Sequence, residues 1–518
     1  PFRWIFDDGT PYYPIGLQDG VFDGAGLGTV LANWSLEGPF RLDRGDKFPE
    51  PPSGAMFKPG PSYDPMNGDI YFRRYANGGF NLFRFSQQNF SLSLMNDFDH
   101  YKIQESVMID ELLRHAQKYS FRIFYGIFGY QNVFNDYPDD AVAMEKVKRF
   151  IKYSVDRWGV YVDFWEFLNE QKADTKWYEI MIPYLRSIDP YHHPITTSWE
   201  RPEIVGIEIS APHWYPGLDK VWNSDQITVN QINNFKRFNK PIIYGEHGNS
   251  SDTDPKKRPP GVGGAWDPES HLRMRVRNWT ALFNEASFVF WNTSYAKDGH
   301  YMNIWLGPKE REYVKAMQDY AYCLGGNIRI SKVKLSDPDS ARAYALASDS
   351  RIGIYIVHSK DYKNPLKKLV VTLDVPKQGK AFWYSPENGS IISEAEIQAG
   401  AQILTVPDFN IDIALLIGVG SPPDSDGDGK PNNIDDDDDN DGVPDIKDAF
   451  PLEPEEWEDK DGDLIGDNMD ADDDADGIGD DQNKNGIPDN EEMDFDGDGV
   501  DRANSVPWDA FPFDPKKR

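Results

Sequence analysis

The amino-acid sequence predicts an α/β protein: a (β/α)8 TIM barrel, then a small antiparallel β-sandwich, then an acidic repeat tail. Three observations predict this order. Apolar runs typical of buried strands alternate with helical patterns over residues 11–325. Short alternating runs separated by turn signals follow. From Ser421 onward Asp and Gly dominate. We therefore expect domains at 1–325, 326–420 and 421–518.

The first domain contains eight candidate strands separated by helical patterns. The strands are predicted at 13–17, 81–85, 122–128, 164–168, 194–198, 207–210, 241–244 and 287–291. Helical periodicity is found at 107–119, 141–157, 177–188 and 272–285. Eight strands with intervening helices favour a closed barrel. An open doubly wound sheet is the alternative, but no glycine-rich phosphate loop follows the first strand.

The second domain has the period-two pattern of antiparallel strands. These strands are predicted at 341–347, 352–358, 369–373, 381–384 and 413–417. Turn signals such as Ser348-Asp349-Ser350 separate them. We expect a β-sandwich that braces the barrel; sugar binding by this domain is the alternative.

The negative charge of the chain is concentrated in the tail. The net charge is -32, and residues 421–518 contain 35 acidic and 8 basic residues, which gives them -27. Because a chain this acidic would be repelled by phosphates, the composition argues against nucleic acid as a partner. Cys323 is the single cysteine, so no intramolecular disulfide forms. The sequence contains no run of about 18 apolar residues, so no membrane span is predicted.

Two predicted strands end in glutamates. The segment 163–170, DFWEFLNE, ends in Asn169-Glu170, and the segment 241–248, PIIYGEHG, contains Glu246. Carboxylates at the C-terminal ends of barrel strands face the mouth of the barrel, and strands four and seven lie across it from each other. Cleavage of a glycosidic bond needs such a pair, one carboxyl protonating the leaving oxygen and the other meeting the oxocarbenium-like carbon.

Around this pair, the barrel resembles the clan A glycoside hydrolases, retaining enzymes with Asn-Glu at strand four and Glu at strand seven. The resemblance covers roughly residues 10 to 325, and the further residues that carry it are Arg84, His213, Tyr215 and Trp291. It implies that Glu170 is the acid/base, Glu246 the nucleophile, and that their carboxyl groups lie roughly 5 to 5.5 Å apart.

The same resemblance implies roles for the neighbouring side chains. Arg84 and Tyr215 would favour the charged form of Glu246, and His213 would lie beside the cleaved sugar. Asn169 would donate to the sugar 2-hydroxyl, and Trp291 would offer an apolar face to the ring. Additional sugar contacts are expected from Asp19, Gln88, Trp199 and Trp214. No cofactor is expected for catalysis.

The expected substrate is a β-linked polysaccharide cut internally. The long connection after the first strand and the tail favour a marine algal galactan such as agarose, porphyran or carrageenan, while mannan, xylan and β-glucan remain open. The alternative function is a non-catalytic, calcium-dependent polysaccharide-binding or adhesion protein on a barrel scaffold. Both carboxylates are present, which favours the enzyme.

The tail repeats Asp at every second position around a Gly turn, the arrangement that oxygen-coordinated Ca²⁺ prefers. Structural Ca²⁺ ligands are predicted at Asp424, Asp426, Asp428, Asp435, Asp437, Asp439, Asp441, Asp459, Asp461, Asp463, Asp472, Asp474, Asp476, Asp494, Asp496 and Asp498. No amphipathic helices flank the loops, which disfavours EF-hands. With the phrases at 448–451 and 509–512, both DAFP, the tail resembles thrombospondin type 3 repeats.

Such repeats imply an extracellular setting, so we expect a secreted or cell-surface protein. The tail would then act as a spacer or surface anchor, in contact with the cell surface or the secretion machinery. We expect the protein to be a monomer.

Overall fold

The computed structural model describes most of the chain up to Gly418 and short parts of the tail. The described residues are 4–6, 9–18, 72, 75–86, 95–129, 132–134, 136–198, 200–250, 269–292, 304, 306–360, 362–418, 426, 435, 437–445, 447–451, 453–458 and 466–468. The chain divides into two compact units, Pro1–Pro422 and Pro423–Arg518.

The first unit contains an eight-stranded sheet in which all paired neighbours are parallel. Its strands are β1 Gly16–Gln18, β2 Leu82–Ser86, β3 Arg122–Phe128, β4 Phe164–Leu168, β5 Ile195–Thr196, β6 His213–Trp214, β7 Ile242–His247 and β8 Ala286–Trp291. Strand β8 pairs with β1, so the first and last strands of the sequence are neighbours. This pairing is what a barrel requires.

The segment before β6 closes the sheet between β5 and β7. The Glu208 amide donates to the Ile195 carbonyl at 2.8 Å. Two residues later, Ser210 bridges Ile242 of β7 in parallel. The ring of strands is thereby continuous, which confirms the predicted (β/α)8 barrel.

The described helices alternate with the strands. They are α1 Ile103–Lys118, α2 Ala141–Trp158, α3 Thr175–Ile188, α4 Ser224–Lys236, α5 Ser270–Phe283 and α6 Pro308–Leu324. Helix α2 begins where the Asp140 side chain accepts hydrogen bonds from the amides of Val142 and Ala143, each at 3.0 Å. Its predicted apolar face is buried, at Met144, Val147, Phe150, Ile151 and Val155. These positions recur at the spacing that places them against the sheet.

Strand positions differ from the prediction where a proline interrupts hydrogen bonding. The sixth strand was expected at 207–210, but the regular ladder lies at His213–Trp214, with only a bridge at Ser210. Pro212 has no amide hydrogen to donate, so the ladder restarts after it. Likewise β1 begins at Gly16 rather than residue 13, because Pro14 precedes it.

Residues 329–417 form two antiparallel sheets. Their strands are β9 Arg329–Ser331, β10 Lys334–Leu335, β11 Ala341–Ala347, β12 Ile352–His358, β13 Val370–Val375, β14 Gly379–Tyr384, β15 Ile391–Ile397, β16 Gly400–Thr405 and β17 Asp412–Ile417. The orders are β9-β11-β12-β17-β14-β15 and β10-β13-β16. One hydrophobic cluster joins both sheets, including Ile354 of β12 and Val371 of β13. The strands not predicted, β9, β10, β15 and β16, are mostly exposed and therefore lack a strong apolar pattern.

Buried ion pairs tie these sheets to the barrel helices. Arg275 of α5 lies 2.9 Å from the Asp412 carboxylate, which also accepts from the Tyr355 hydroxyl at 2.8 Å. Arg342 lies 2.6 Å from Asp225 of α4. Breaking one partner of such a pair is costly, so the barrel and the two sheets are expected to unfold together.

Among the helices that the structure describes, none combines the length and the apolar character needed to cross a membrane.

Candidate active site

The two predicted working carboxylates lie at the C-terminal ends of β4 and β7. Glu246 is the fifth residue of β7, and Glu170 follows β4 by two residues. Glu170 has a backbone φ of +51°, which is uncommon for a residue with a side chain. Such strain persists where the surroundings impose it and is frequent in active sites. The conformation of Glu170 turns the chain just after the end of β4.

The two carboxylates lie close together with His213 between them. The His213 Nδ1 atom is 2.9 Å from Glu170 Oε1 and 3.3 Å from Glu246 Oε2. One atom from each of the three side chains lies within 4.8 Å of the others. The Glu246 side chain is 4% exposed, whereas that of Glu170 is 30% exposed. Of the two carboxyl groups, that of Glu170 is therefore the more accessible to solvent.

Arg84 of β2 is fully buried and is the cation that compensates this group of carboxylates. Its Nη1 donates to Glu246 Oε1 at 2.9 Å and its Nη2 to Glu166 Oε2 at 2.7 Å. Nη2 also donates to Asn169 Oδ1 at 2.7 Å, and Nη1 donates to Gln18. Burial by itself would lower the pKa of Arg84, but the charges of Glu166 and Glu246 outweigh it and the pKa is raised. The guanidinium stays charged and fixes Glu246 from one side.

Gln18 and Glu166 complete this network and were not among the predicted site residues. Glu166 is fully buried, four residues before Glu170, and also accepts a hydrogen bond from Ser198. The period-two alternation of a strand does point to it, because residues 166 and 170 fall on one face, with Glu166 deeper in the barrel. Gln18 ends β1 and gave no signal of its own, since an isolated Gln at a strand end has many structural explanations.

Tyr215 holds Glu246 from the other side. Its hydroxyl donates to Glu246 Oε2. Burial first, and then the negative charge of Glu246, raise the pKa of Tyr215 well above its usual value. The phenol therefore remains protonated and remains a hydrogen-bond donor to the carboxylate.

His213 packs closely against β7. It is paired in register with Glu246, and its Nε2 atom would lie 3.3 Å from a Cβ placed on Gly245. That nitrogen is buried and has no hydrogen-bond partner among the described residues. The glycine thus leaves room for an imidazole whose other nitrogen meets both carboxylates.

The remaining predicted sugar contacts have different positions. Trp291 ends β8 in register with Gln18, so its side chain projects on the same side as that network, and its indole nitrogen is buried without a described partner. Trp214 instead points to the outer side of β6, where it stacks on His247. Predicted contacts that lie outside the described residues are Asp19, Gln88 and Trp199.

Comparisons with known proteins bear on the fold of this unit. No protein-family model matches the sequence, and no curated protein matches it. A solved structure described as a glycoside hydrolase matches with a TM-score of 0.51 at 12% identity, over 80% of this chain and 94% of that one. A glycoside hydrolase family 5 from Bacteroides vulgatus ATCC 8482 matches with a TM-score of 0.50 at 11% identity, over 80% and 93%. These matches show that the chain shares the barrel fold of those two structures.

In the second unit, three of the predicted ligands converge on one loop. Carboxylate oxygens of Asp437, Asp439 and Asp441 lie within 4.8 Å of one another. Gly442 follows with a φ of +97°, a conformation that favours glycine, and its amide donates to Asp437 at 3.1 Å. The loop therefore turns its carboxylates toward a common point.

Asp448 joins this loop and was not predicted as a ligand. It is 3% exposed, and its Oδ2 atom has no hydrogen-bond partner among the described residues. Burial first, and then the charges of Asp441, Asp439 and Asp445, raise the pKa of Asp448 to about 6. Asp439 is likewise buried with an unpartnered Oδ2 atom. Converging buried oxygens fit a hard cation such as Ca²⁺.

The structure describes two more predicted ligands, Asp426 and Asp435. The other predicted ligands lie outside the described residues: Asp424, Asp428, Asp459, Asp461, Asp463, Asp472, Asp474, Asp476, Asp494, Asp496 and Asp498.

Proposed function

We propose that this protein is a retaining glycoside hydrolase, with Glu170 as acid/base and Glu246 as nucleophile. One observation carries the proposal: two strand-end carboxylates, each with an oxygen within 4.8 Å of the other, face the mouth of a glycoside hydrolase barrel. Retaining enzymes hold their carboxyl groups about 5 to 5.5 Å apart, whereas inverting enzymes separate them by about 6.5 to 9.5 Å. The close approach supports double displacement.

In the first step, a Glu246 oxygen attacks the anomeric carbon while Glu170 donates its proton to the glycosidic oxygen. The bond between that carbon and the leaving oxygen breaks, and a covalent glycosyl-enzyme forms. Arg84 and Tyr215 hold the two Glu246 oxygens, so the attacking carboxylate is oriented before the substrate arrives. Arg84 also fixes the Asn169 amide through its oxygen, with Nδ2 as the donor toward the sugar 2-hydroxyl.

In the second step, Glu170 serves as the base. It removes a proton from water, and the water oxygen attacks the anomeric carbon from the face that the leaving group occupied. The ester bond to Glu246 breaks and its carboxylate is regenerated, so the configuration is retained. The partial exposure of Glu170 supports this role, because water must reach it.

We further propose that the substrate is a β-linked polysaccharide cut internally, and that it is a marine algal galactan. The length of the connection between β1 and β2, from residue 19 to residue 81, supports this proposal, because long loops on a barrel commonly carry binding residues. The aspartate-rich tail supports a calcium-rich, extracellular setting. Release of reducing ends from a panel of galactans, mannan, xylan and β-glucan tests this; cleavage of xylan or mannan alone would contradict the galactan.

For the tail, we propose structural Ca²⁺ bound by the loop of Asp437, Asp439, Asp441 and Asp448, and by similar loops along the repeats. Ca²⁺ would neutralise carboxylates that are buried together. We also propose that the protein is secreted or on the cell surface and is a monomer. Residues 326–420 would brace the barrel as a sandwich, and the tail would act as a spacer or anchor.

Two alanine variants test the catalytic assignment. On an aryl glycoside with a good leaving group, Glu170→Ala with azide should form the β-glycosyl azide, because azide attacks the glycosyl-enzyme. Glu246→Ala with azide should form the α-glycosyl azide, because azide replaces the nucleophile. NMR of the products distinguishes them, and Glu179→Ala, an exposed position on α3, is the matched control.

The opposite outcomes are equally clear. Full activity of Glu246→Ala would overturn the nucleophile assignment. Calcium-dependent binding of polysaccharides by the wild type, without cleavage of any of them, would support the adhesion protein instead.

A further inference from the structure

The ends of β6 and β7 have two faces. The inner face carries Tyr215 and Glu246 with their hydrogen bond. The outer face carries Trp214 and His247, whose rings stack at a centroid distance of 5.1 Å. His247 Nδ1 also lies 2.9 Å from the Trp214 carbonyl oxygen. Adjacent residues of a strand point to opposite faces but share one backbone. A backbone shift that moves the outer pair therefore also moves the inner pair.

Arg277 of α5 covers the outer pair and reaches both strand ends. Its guanidinium lies 5.9 Å from the Trp214 ring centroid, and the side chain is 1% exposed. Nη1 donates to Asn249 Oδ1, just after β7, at 2.9 Å. Nη2 donates to the Gly217 carbonyl, just after β6, at 3.3 Å. One planar group therefore spans the loops that follow the two strands.

The charge of Arg277 is matched locally. Asp219, in the loop after β6, lies 3.5 Å from its Nη2 atom. His247 adds no positive charge beside it, because burial, followed by the charge of Arg277, holds the pKa of this imidazole well below its usual value. The arrangement is a buried, hydrogen-bonded brace, and a fork of donors suits it better than an ammonium group does.

We propose that Arg277 is a positioning residue for the Tyr215–Glu246 pair. By joining the loops after β6 and β7, it fixes the distance between a phenol on one strand and a carboxylate on the next. The inference rests on the proposed hydrolase function, since it assigns how the nucleophile is held. Arg277 itself lies on the outer side of the strands and touches no reacting atom.

The same helix offers a matched control. Arg275 lies two residues away and is equally buried, but it faces Asp412 and Tyr355 in the antiparallel sheets. Replacing either arginine by methionine leaves a buried carboxylate or carbonyl group without its partner. Both changes therefore lower stability, whereas only the change at Arg277 should alter the nucleophile.

The experiment compares Arg277→Met, Arg277→Lys and Arg275→Met with the wild type. For Arg277→Met, kcat should fall about 100-fold, the effect of a misplacement of roughly 1 Å, with KM little changed. The acidic limb of its kcat/KM profile should move to higher pH, since the Tyr215 hydroxyl no longer donates to the nucleophile. Arg277→Lys should recover part of kcat. Arg275→Met should unfold at a lower temperature, and the acidic limb of its kcat/KM profile should stay where the wild type has it.

Equal kcat losses in Arg277→Met and Arg275→Met, with no movement of the acidic limb, would overturn the inference. If Arg277→Met does not fold, Asn249→Ala decides in its place: it should move the limb in the same direction, and an unmoved limb counts against the brace. A crystal structure of the folded variant gives a result that does not depend on activity. An intact Tyr215–Glu246 hydrogen bond there overturns the inference, whereas a wild type inactive on every polysaccharide overturns only the proposed function.

Discussion

The barrel and the tail both bury carboxylates in groups, but among the described residues only the barrel group has a cation of its own chain beside it. In the barrel, Arg84 donates to Glu166 and Glu246 at 2.7 and 2.9 Å, and all three side chains are almost completely buried. In the tail, Asp439 and Asp448 are buried with oxygens that have no partner among the described residues.

The difference shows in the pKa directions. The neighbouring carboxylates raise the pKa of Arg84, which keeps the guanidinium charged. In the tail, burial first, and then the charges of Asp441, Asp439 and Asp445, raise the pKa of Asp448 to about 6. Burying a charge without compensation is unfavourable, so the proposal that the tail loop takes up a cation from solution leads to different expectations for the two regions.

The largest expected effect comes from removing the internal cation. Arg84→Met leaves Glu166 and Glu246 buried without it, so the free energy of unfolding should fall by about 3 to 5 kcal/mol. Denaturant unfolding of the first unit measures this. Arg122→Met is the matched control, since its pair with Asp163 is partly exposed and should contribute less than about 1 kcal/mol. Equal losses in both variants would contradict the role of Arg84.

Removing calcium should affect the tail alone. At 100 times its dissociation constant, Ca²⁺ should stabilise the tail by about 2.7 kcal/mol. Calorimetry in chelator should therefore show the tail transition lost or lowered and the barrel transition unchanged. Mg²⁺ at the same concentration should substitute poorly, because it demands a smaller octahedral site. If the barrel melts together with the tail in chelator, the comparison between the two regions is wrong.

In the absence of Ca²⁺, lowering the pH should partly stabilise the tail. The pKa of Asp448 is about 6 in the folded tail, against a usual value of 3.8. The folded state thus binds more protons between these values, so stability present at low pH is lost as the pH rises through about 6. In chelator, the tail should melt at a higher temperature at pH 5 than at pH 7.5. With saturating Ca²⁺, which needs the deprotonated oxygens, this trend should disappear or reverse.

The smallest expected effect isolates one carboxylate. In chelator, Asp448→Asn should stabilise the tail by roughly 0.5 kcal/mol, because it removes a buried charge without changing shape. The same variant should bind Ca²⁺ more weakly, as calorimetric titration would show. Glu453→Gln, at an exposed position of the tail, should change neither quantity. A loss of stability for Asp448→Asn in chelator would mean that its Oδ2 atom, and not only the Oδ1 atom that accepts from Phe450, has a partner in the folded tail.

Much of the fold could be predicted because it follows from local patterns. Strand β4 was predicted with the bounds it has, Phe164–Leu168, since four of its five residues are apolar, all five are buried, and polar residues follow. The exposed strand β15 was missed because its side chains are not sorted by burial. Strand β6 was misplaced because apolar residues on both sides of Pro212 satisfy the same pattern.

The residues of the candidate site likewise fall into those that local patterns predict and those that they do not. Glu170, Glu246 and Arg84 follow strand segments that the sequence marks, so their convergence at one end of a barrel could be predicted before any distance was known. The opposite orientation of Trp214 and Tyr215 depends on where the ladder of β6 begins. Gln18 and Arg277 have no local signal, because the groups that they contact lie at least 28 positions away in the chain.

The sequence by itself determined the barrel, the pair of strand-end glutamates and the concentration of negative charge in the tail. These depend on hydrophobic periodicity and on residue type at strand ends, which are local properties. Only the tertiary structure decided which cation neutralises which carboxylate, that His213 lies between Glu170 and Glu246, and that Asp448 joins the tail loop. Electrostatic and hydrogen-bond energies depend on distance and burial, and both are set by contacts between segments remote in the chain.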